Sequence, residues 1–238
     1  MAALDALLTV QEHDTAADRL RHRRASLPER ADLVAREHER DRLDVLLTDA
    51  SARRADVLAQ EKRLDDEATS LEAKAKEMER KLYGGTVSNV KELQAMEADV
   101  KSLRHRRDEL EELELEVMEQ REVLDREVAG LEAQLAEVQA VLDTLSSAIA
   151  TAEAEIDHAL SVEDDARRAA AVGLAADLLS TYDSIRAKNR GIGAARLVGD
   201  TCQACRLSLP ATEVERIRRS APGAVARCEN CGALLVHS

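Results

Sequence analysis

Phenylalanine and tryptophan are absent from the 238 residues, and tyrosine occurs only twice. Aromatic side chains dominate the energetics of ordinary globular cores, so a core of usual composition is excluded for most of the chain. Long apolar runs are also missing. A membrane-spanning helix needs close to twenty consecutive apolar residues, and nothing in the sequence approaches that. The opening stretch MAALDALLTVQEHD has no basic segment ahead of its apolar residues, so it predicts no secretory leader and a cytoplasmic location. Histidine is sparse and scattered, at positions 13, 22, 38, 105, 158 and 237, and none joins a nucleophile or phosphate motif. Each reads as a surface polar residue. Neither an enzyme nor a small-molecule substrate is expected.

What the chain does have is charge and aliphatic spacing. It is 34% charged and 45% hydrophobic, with Leu, Ala and Val mixed among Glu, Asp and Arg. That composition with a 3.5-residue period signals a coiled coil, and its apolar content is too high for a disordered acidic tail. The net charge is -13 and is unevenly placed. Positions 191–238 hold six arginines against four carboxylates, a balance of +2, which leaves -15 on positions 1–190. So acidic a helical part repels nucleic acid in general, and any such binding must use local patches.

Leu4, Leu7, Leu8 and Gln11 start a first helix that is predicted to run to about Ser26. Leu27-Pro28 then marks a break, because the residue before proline disfavours the helical region. From Leu43 to Leu82, apolar positions alternate in steps of four and three, and the same alternation resumes from Leu93 to Ile156. This is an a/d seam. Between the two seams lies YGGTVSN, too short a link for parallel helices, so the arms are expected to fold back antiparallel. An intermolecular coiled coil with a loose glycine link is the alternative. Gly84 and Gly85 supply the permissive backbone of the turn, and Asn89 with Glu92 reads as an N-cap and its partner. The return helix is expected to span about 70 residues, or roughly 105 Å, with the segment before Pro28 covering the rest of its seam.

Arg54, Glu61, Arg107, Glu114 and Arg121 interrupt the seam. A tight turn would bring Glu61 near Arg107 and Arg54 near Glu114; equally, these long side chains can snorkel out of a thin two-helix seam. A last helix is expected from about Val162 to Asn189, with Tyr182 as a packing residue. At the tip, Tyr83, Thr86 and Val87 place apolar and hydroxyl surface at the end of a charged rod. Tyr83 there is either a lid on the last seam layer or a rigid anchor for a partner.

The four cysteines form two C-x-x-C pairs, CQAC at 202–205 and CENC at 228–231. Paired spacing of this kind reads as a four-cysteine zinc site, and a cytoplasmic chain argues against stable disulfides. Cys202, Cys205, Cys228 and Cys231 would fill every coordination position with sulfur, so the one Zn²⁺ is expected to be structural. The spacer should form a short helix after Pro210. Gly232 suits the left-handed turn that follows a knuckle; Arg206 stands at the equivalent place in the first pair. Chelation is expected to unfold 191–238 and spare most of the helix.

With both features read, the chain resembles the bacterial family of coiled-coil hairpins ending in a C4-type zinc ribbon. The specific stretches are LYGGTVSNVKELQAME, KNRGIGAARL, CQACRLSLP and RCENCGALL. The resemblance implies that the four cysteines are zinc ligands, and that the protein binds nucleic acid or serves as an adaptor in transcription and macromolecular assembly. The chain departs from the family pattern at Ala204, where glycine is frequent, and at Ala233, where arginine is frequent.

The expected architecture is therefore mainly α: a long antiparallel coiled-coil hairpin over 1–190, turning near 83–89 and returning through a helix at about 162–189, then a small β zinc ribbon over 191–238. The expected function is a non-enzymatic adaptor for a protein partner, with Tyr83, Gly84, Gly85 and Asn89 at its tip. The alternative is DNA or RNA binding through Lys188, Arg190, Arg196, Arg206, Arg216, Arg218, Arg219 and Arg227. Against it, the ribbon has no aromatic residue on which bases could stack.

Overall fold

The computed structural model describes residues 2–85, 87–220 and 225–236. Thr86 of the expected tip, the Pro222–Gly223 end of the spacer and His237 lie outside the described residues, as does the side chain of Leu4. Elements follow in the order α1 (Ala2–Ala25), α2 (Glu29–Tyr83), α3 (Val90–Ala171), α4 (Ala176–Lys188), β1 (Ala194–Val198), β2 (Thr201–Cys202), α5 (Ala211–Arg218), β3 (Ala226–Arg227) and β4 (Leu234–Val236). The fold is mainly α with a small C-terminal sheet. Two compact units divide the chain, one of residues 33–144 and one of residues 1–32 with 145–238.

In the unit of residues 33–144, α2 and α3 form the antiparallel coiled-coil hairpin. From Leu33 to Tyr83 the outgoing arm is about 75 Å long at 1.5 Å per residue. Every seam position from Leu43 to Leu82 and from Leu93 to Leu142 is buried or half-buried, as the heptad pattern requires. Leu43, Val138 and Leu142 form a cluster with Leu33, Leu131 and Leu135 packed on it. Gly85 turns the chain with φ +70, and a Cβ on Gly84 would meet the Arg80 carbonyl oxygen at 2.7 Å. Asn89 then caps α3, its Oδ1 accepting from the Lys91 N–H at 3.0 Å.

The register differs from the tight-turn expectation. Glu61 pairs with Arg121 at 2.7 Å and not with Arg107; Arg107 reaches Glu72 at 2.6 Å, and Arg54 pairs with Asp125, not Glu114. The partners on α3 lie about three to four helical turns further along it, and Glu72 lies about three turns nearer the tip on α2 than Glu61. The physical reason is the non-helical stretch from Gly84 to Asn89, which lets α3 start beyond the end of α2 while the leucine layers set the register. Four of the five seam charges are paired across the hairpin, Glu114 having no ion pair among the described residues. The Arg107 guanidinium, with Lys76, holds the Glu72 carboxyl below its usual range. We expect a double-mutant cycle on Glu61 and Arg121 to give a coupling of about 0.5–1 kcal/mol. The same cycle on Glu61 and Arg107 should give none, which checks the register directly.

In the other unit, α1 packs along the C-terminal part of α3, the role expected for the segment before Pro28. His13 meets Glu163 at 2.7 Å, Arg24 meets Asp157 at 3.2 Å, and Arg30 pairs with Glu153. The expected helix from Val162 to Asn189 is corrected. Val162 lies inside α3, which has 82 residues, not about 70. The break falls at residues 172–175, where Gly173 adopts φ +91, and α4 follows with 13 residues. The reason is that helical periodicity continues through the acidic stretch around Val162, whereas a left-handed glycine ends it.

The sheet has the order β2-β1-β4-β3. β1 and β4 run parallel, and the outer pairs are antiparallel. Successive side chains alternate between faces, and both faces are covered. Ala195, Leu197 and Leu235 pack with Val214 and Ile217 of α5 and with Cys202 and Cys228. Ala194 and Leu234 pack with Leu7, Val10 and Tyr182 from α1 and α4. The ribbon is therefore one layer of a three-layer base.

Candidate metal centre

The two C-x-x-C pairs build matching knuckles. After the first, the Arg206 N–H donates to the Cys202 carbonyl at 2.8 Å; after the second, the Gly232 N–H donates to the Cys228 carbonyl at 2.8 Å. Both turns need a left-handed residue, and they have Arg206 at φ 59 and Gly232 at φ 74. Glycine adopts this conformation freely, while an arginine there is strained by about 1–2 kcal/mol. The first knuckle holds its arginine in spite of that cost.

The four Sγ atoms converge within 4.8 Å of one another. Cys202 and Cys231 stand 3.9 Å apart, and Cys205 and Cys228 stand 3.8 Å apart. A tetrahedron of sulfurs about 2.3 Å from zinc has edges of about 3.8 Å, whereas a disulfide would need about 2.05 Å. The donor set fits one structural zinc and no disulfide. Burial pushes the Cys231 thiol up to about 12 and raises Cys202, while the Leu207 backbone N–H lowers Cys205. A bound cation would reverse the burial penalty by stabilising the thiolates.

The basic residues named from the sequence do not gather into one face free of acid. Glu213, a buried residue of α5, accepts from Arg216, whose guanidinium lowers its carboxyl. Arg219 pairs with Glu215 at 2.8 Å, and Arg196 lies 3.9 Å from Asp5. Among the described residues Arg218 reaches only the Gly199 carbonyl, at 3.5 Å. Lys188 and Arg227 line a cleft beside the second knuckle. Arg190 has φ 50 and is exposed. Ala233, where the family often has arginine, is 0% exposed and lies in the core.

The sequence reading missed two polar residues of α1: Gln11, which fastens it to the ribbon, and Asp14, which fastens it to α3 and α4. Gln11 Oε1 accepts from the Gly193 N–H at 2.6 Å and from the Ala194 N–H at 3.1 Å. Its Nε2 donates to the Gly191 carbonyl at 2.9 Å. One turn on, buried Asp14 accepts from the Tyr182 hydroxyl at 2.7 Å and from Arg167 Nε at 2.8 Å. Burial, reinforced by Asp14, raises the Tyr182 phenol above its ordinary value. The motif KNRGIGAARL now has a physical reading. Gly191 sits at φ +87, and a Cβ on Gly193 would lie 2.5 Å from the Tyr182 ring.

This geometry is matched by comparison with known proteins. Residues 10–190 match the CT398-like coiled coil hairpin domain, and residues 201–235 match the C4-type zinc ribbon domain. The chain belongs to the CT398-like hairpin family. Among relatives of this family, the Mycobacterium tuberculosis protein Rv2229c, described as uncharacterized, is 32% identical over 234 residues, covering 97% of this chain and 93% of its own. A solved structure from Mycobacterium smegmatis shares 29% identity with a TM-score of 0.86, over 99% of this chain and 97% of that one. CT398 from Chlamydia trachomatis shares the fold at 16% identity and a TM-score of 0.52, over 99% and 98% of the two chains. No helix among the described residues is long and apolar enough to cross a membrane.

Proposed function

We propose that the protein is a non-enzymatic, cytoplasmic adaptor that captures a protein partner at the tip of its hairpin. One observation carries this reading: Tyr83, at the end of α2, is 81% exposed. That exposure favours an anchor over a lid sealed against the last seam layer. Val90, which opens α3, is 66% exposed, so the tip offers both an aromatic and an aliphatic group. Tyrosine is a rigid, amphipathic anchor enriched at binding hot spots. Gly84, Gly85 and Asn89 hold it there through the turn and cap already described. The test is affinity capture after nuclease treatment, with wild type and Tyr83→Ala side by side. We expect the variant to melt within about 0.5 kcal/mol of wild type and to lose the partner; a variant that retrieves it undiminished would refute the tip as the docking point.

A second reading, nucleic-acid binding, is supported by Lys188, Arg190, Arg206, Arg218 and Arg227, which have no ion-pair partner among the described residues. It requires affinity that falls steeply with salt.

A further inference from the structure

Three residues of α4, Ser180, Ser184 and Lys188, recur four apart and so share one face of the helix. With Thr181, they line a cleft of about 550 Å³ whose other wall is Arg227 of β3 and the Cys231–Gly232 turn. A volume in this range suits a small ligand. Among the described residues no Asp or Glu lines it, in a chain that carries 47 of them.

Its donors are also uncommitted. Helical hydroxyls can turn back onto their own helix, as Thr48 does to the Asp44 carbonyl at 2.8 Å and Thr144 to the Ala140 carbonyl at 2.8 Å. Ser180, Thr181 and Ser184 make no side-chain hydrogen bond among the described residues, and Lys188 and Arg227 make no ion pair there. By contrast, Arg216 on α5 and Arg219 at its C-cap are both taken by carboxylates.

From this we infer that the cleft between α4 and the second zinc knuckle seats the phosphate group of a small phosphate ester. Lys188 and Arg227 would meet its charge, and the Ser180, Thr181 and Ser184 hydroxyls would donate to its terminal oxygens. Three hydroxyls and two cations exceed what the two oxygens of a carboxylate can accept, and they match the three terminal oxygens of a phosphate monoester. A zinc ion with four thiolates carries a formal charge of 2-, which the two cations balance, so discrete hydrogen bonds rather than net charge do the holding. The acidic remainder of the chain favours a small anion over a long polyanion. This site is independent of the hairpin tip and stands or falls apart from the adaptor reading.

The test uses the full-length, zinc-loaded protein at low ionic strength. Calorimetry is run with inorganic phosphate, 5′-AMP, adenosine and a short single-stranded oligonucleotide. Phosphate and 5′-AMP should bind and adenosine should not. Lys188→Ala combined with Arg227→Ala should weaken both about tenfold or more, and Ser184→Ala should weaken them about threefold with zinc content unchanged. If the double variant loses zinc, Ser180→Ala and Ser184→Ala, which keep both cations, read the site instead. Oligonucleotide binding lost in the same variants would support the phosphate seat with a nucleic-acid backbone as the source. Absence of binding by every phosphate probe, or binding indifferent to all these substitutions, would overturn the assignment and leave Lys188 and Arg227 as counter-charges to the thiolates.

Discussion

Removing zinc from the protein should dissolve the ribbon and leave the hairpin standing. A C4 site in a small module supplies on the order of 10–16 kcal/mol. The ribbon-side cluster is small: of its nine buried residues, four are Ala195, Ala226, Cys202 and Cys228, and five are larger aliphatics. Chelation, or Cys228→Ser, should therefore abolish protection from amide exchange across β1 to β4 and α5. Helical circular dichroism should fall only slightly, because the seam of residues 33–144 does not involve the metal. The loss should nevertheless reach beyond the ribbon. Leu7, Val10 and Tyr182 lose their cover when Ala194 and Leu234 leave, so exchange should also rise along α1 near those residues. Exchange that stops sharply at residue 191 would contradict the shared base, and collapse of most of the helical signal would contradict an independent hairpin.

The second large effect is expected at Gln11. Gln11→Leu keeps the volume but strands the Gly193 and Ala194 N–H groups and the Gly191 carbonyl. Each buried group left unpaired costs about 1–3 kcal/mol, so a loss of about 3 kcal/mol or more is expected for the base. Gln11→Glu keeps the acceptor for both N–H groups and loses the donor, so it should cost clearly less. Zinc content should stay at wild-type level in both, because the thiolates lie on the other face of the sheet. Amide exchange at Gly193 and Ala194, read with zinc stoichiometry, checks this; unchanged exchange in Gln11→Leu would show that the clamp holds nothing.

The hairpin was legible because its rule is periodic. Leu43 to Leu82 and Leu93 to Ile156 announce a seam by spacing alone, and the cysteine pairs announce a metal by spacing alone. The register was not legible, because Glu61 finds Arg121 only after the Gly84–Asn89 segment has set where α3 begins. The break before α4 was masked by the continuing helical pattern around Val162. Gln11 and Asp14 were hidden for a different reason. Their partners, Gly193 and Tyr182, are more than 160 positions away in sequence, and no local pattern records such a pairing. The available signal was two polar residues on the same α1 face as Leu7, Val10 and Ala17, where a buried stripe would otherwise be apolar.

The most direct test of the adaptor reading places a photo-crosslinking phenylalanine analogue at position 83 of the full-length chain in cells. An 81% exposed side chain accepts that replacement without repacking, so the hairpin should stay folded. Irradiation should give one discrete protein adduct that survives nuclease treatment and is absent when the same analogue replaces exposed Leu115 on α3. No adduct at position 83, or only adducts that nuclease removes, would contradict a protein-binding tip.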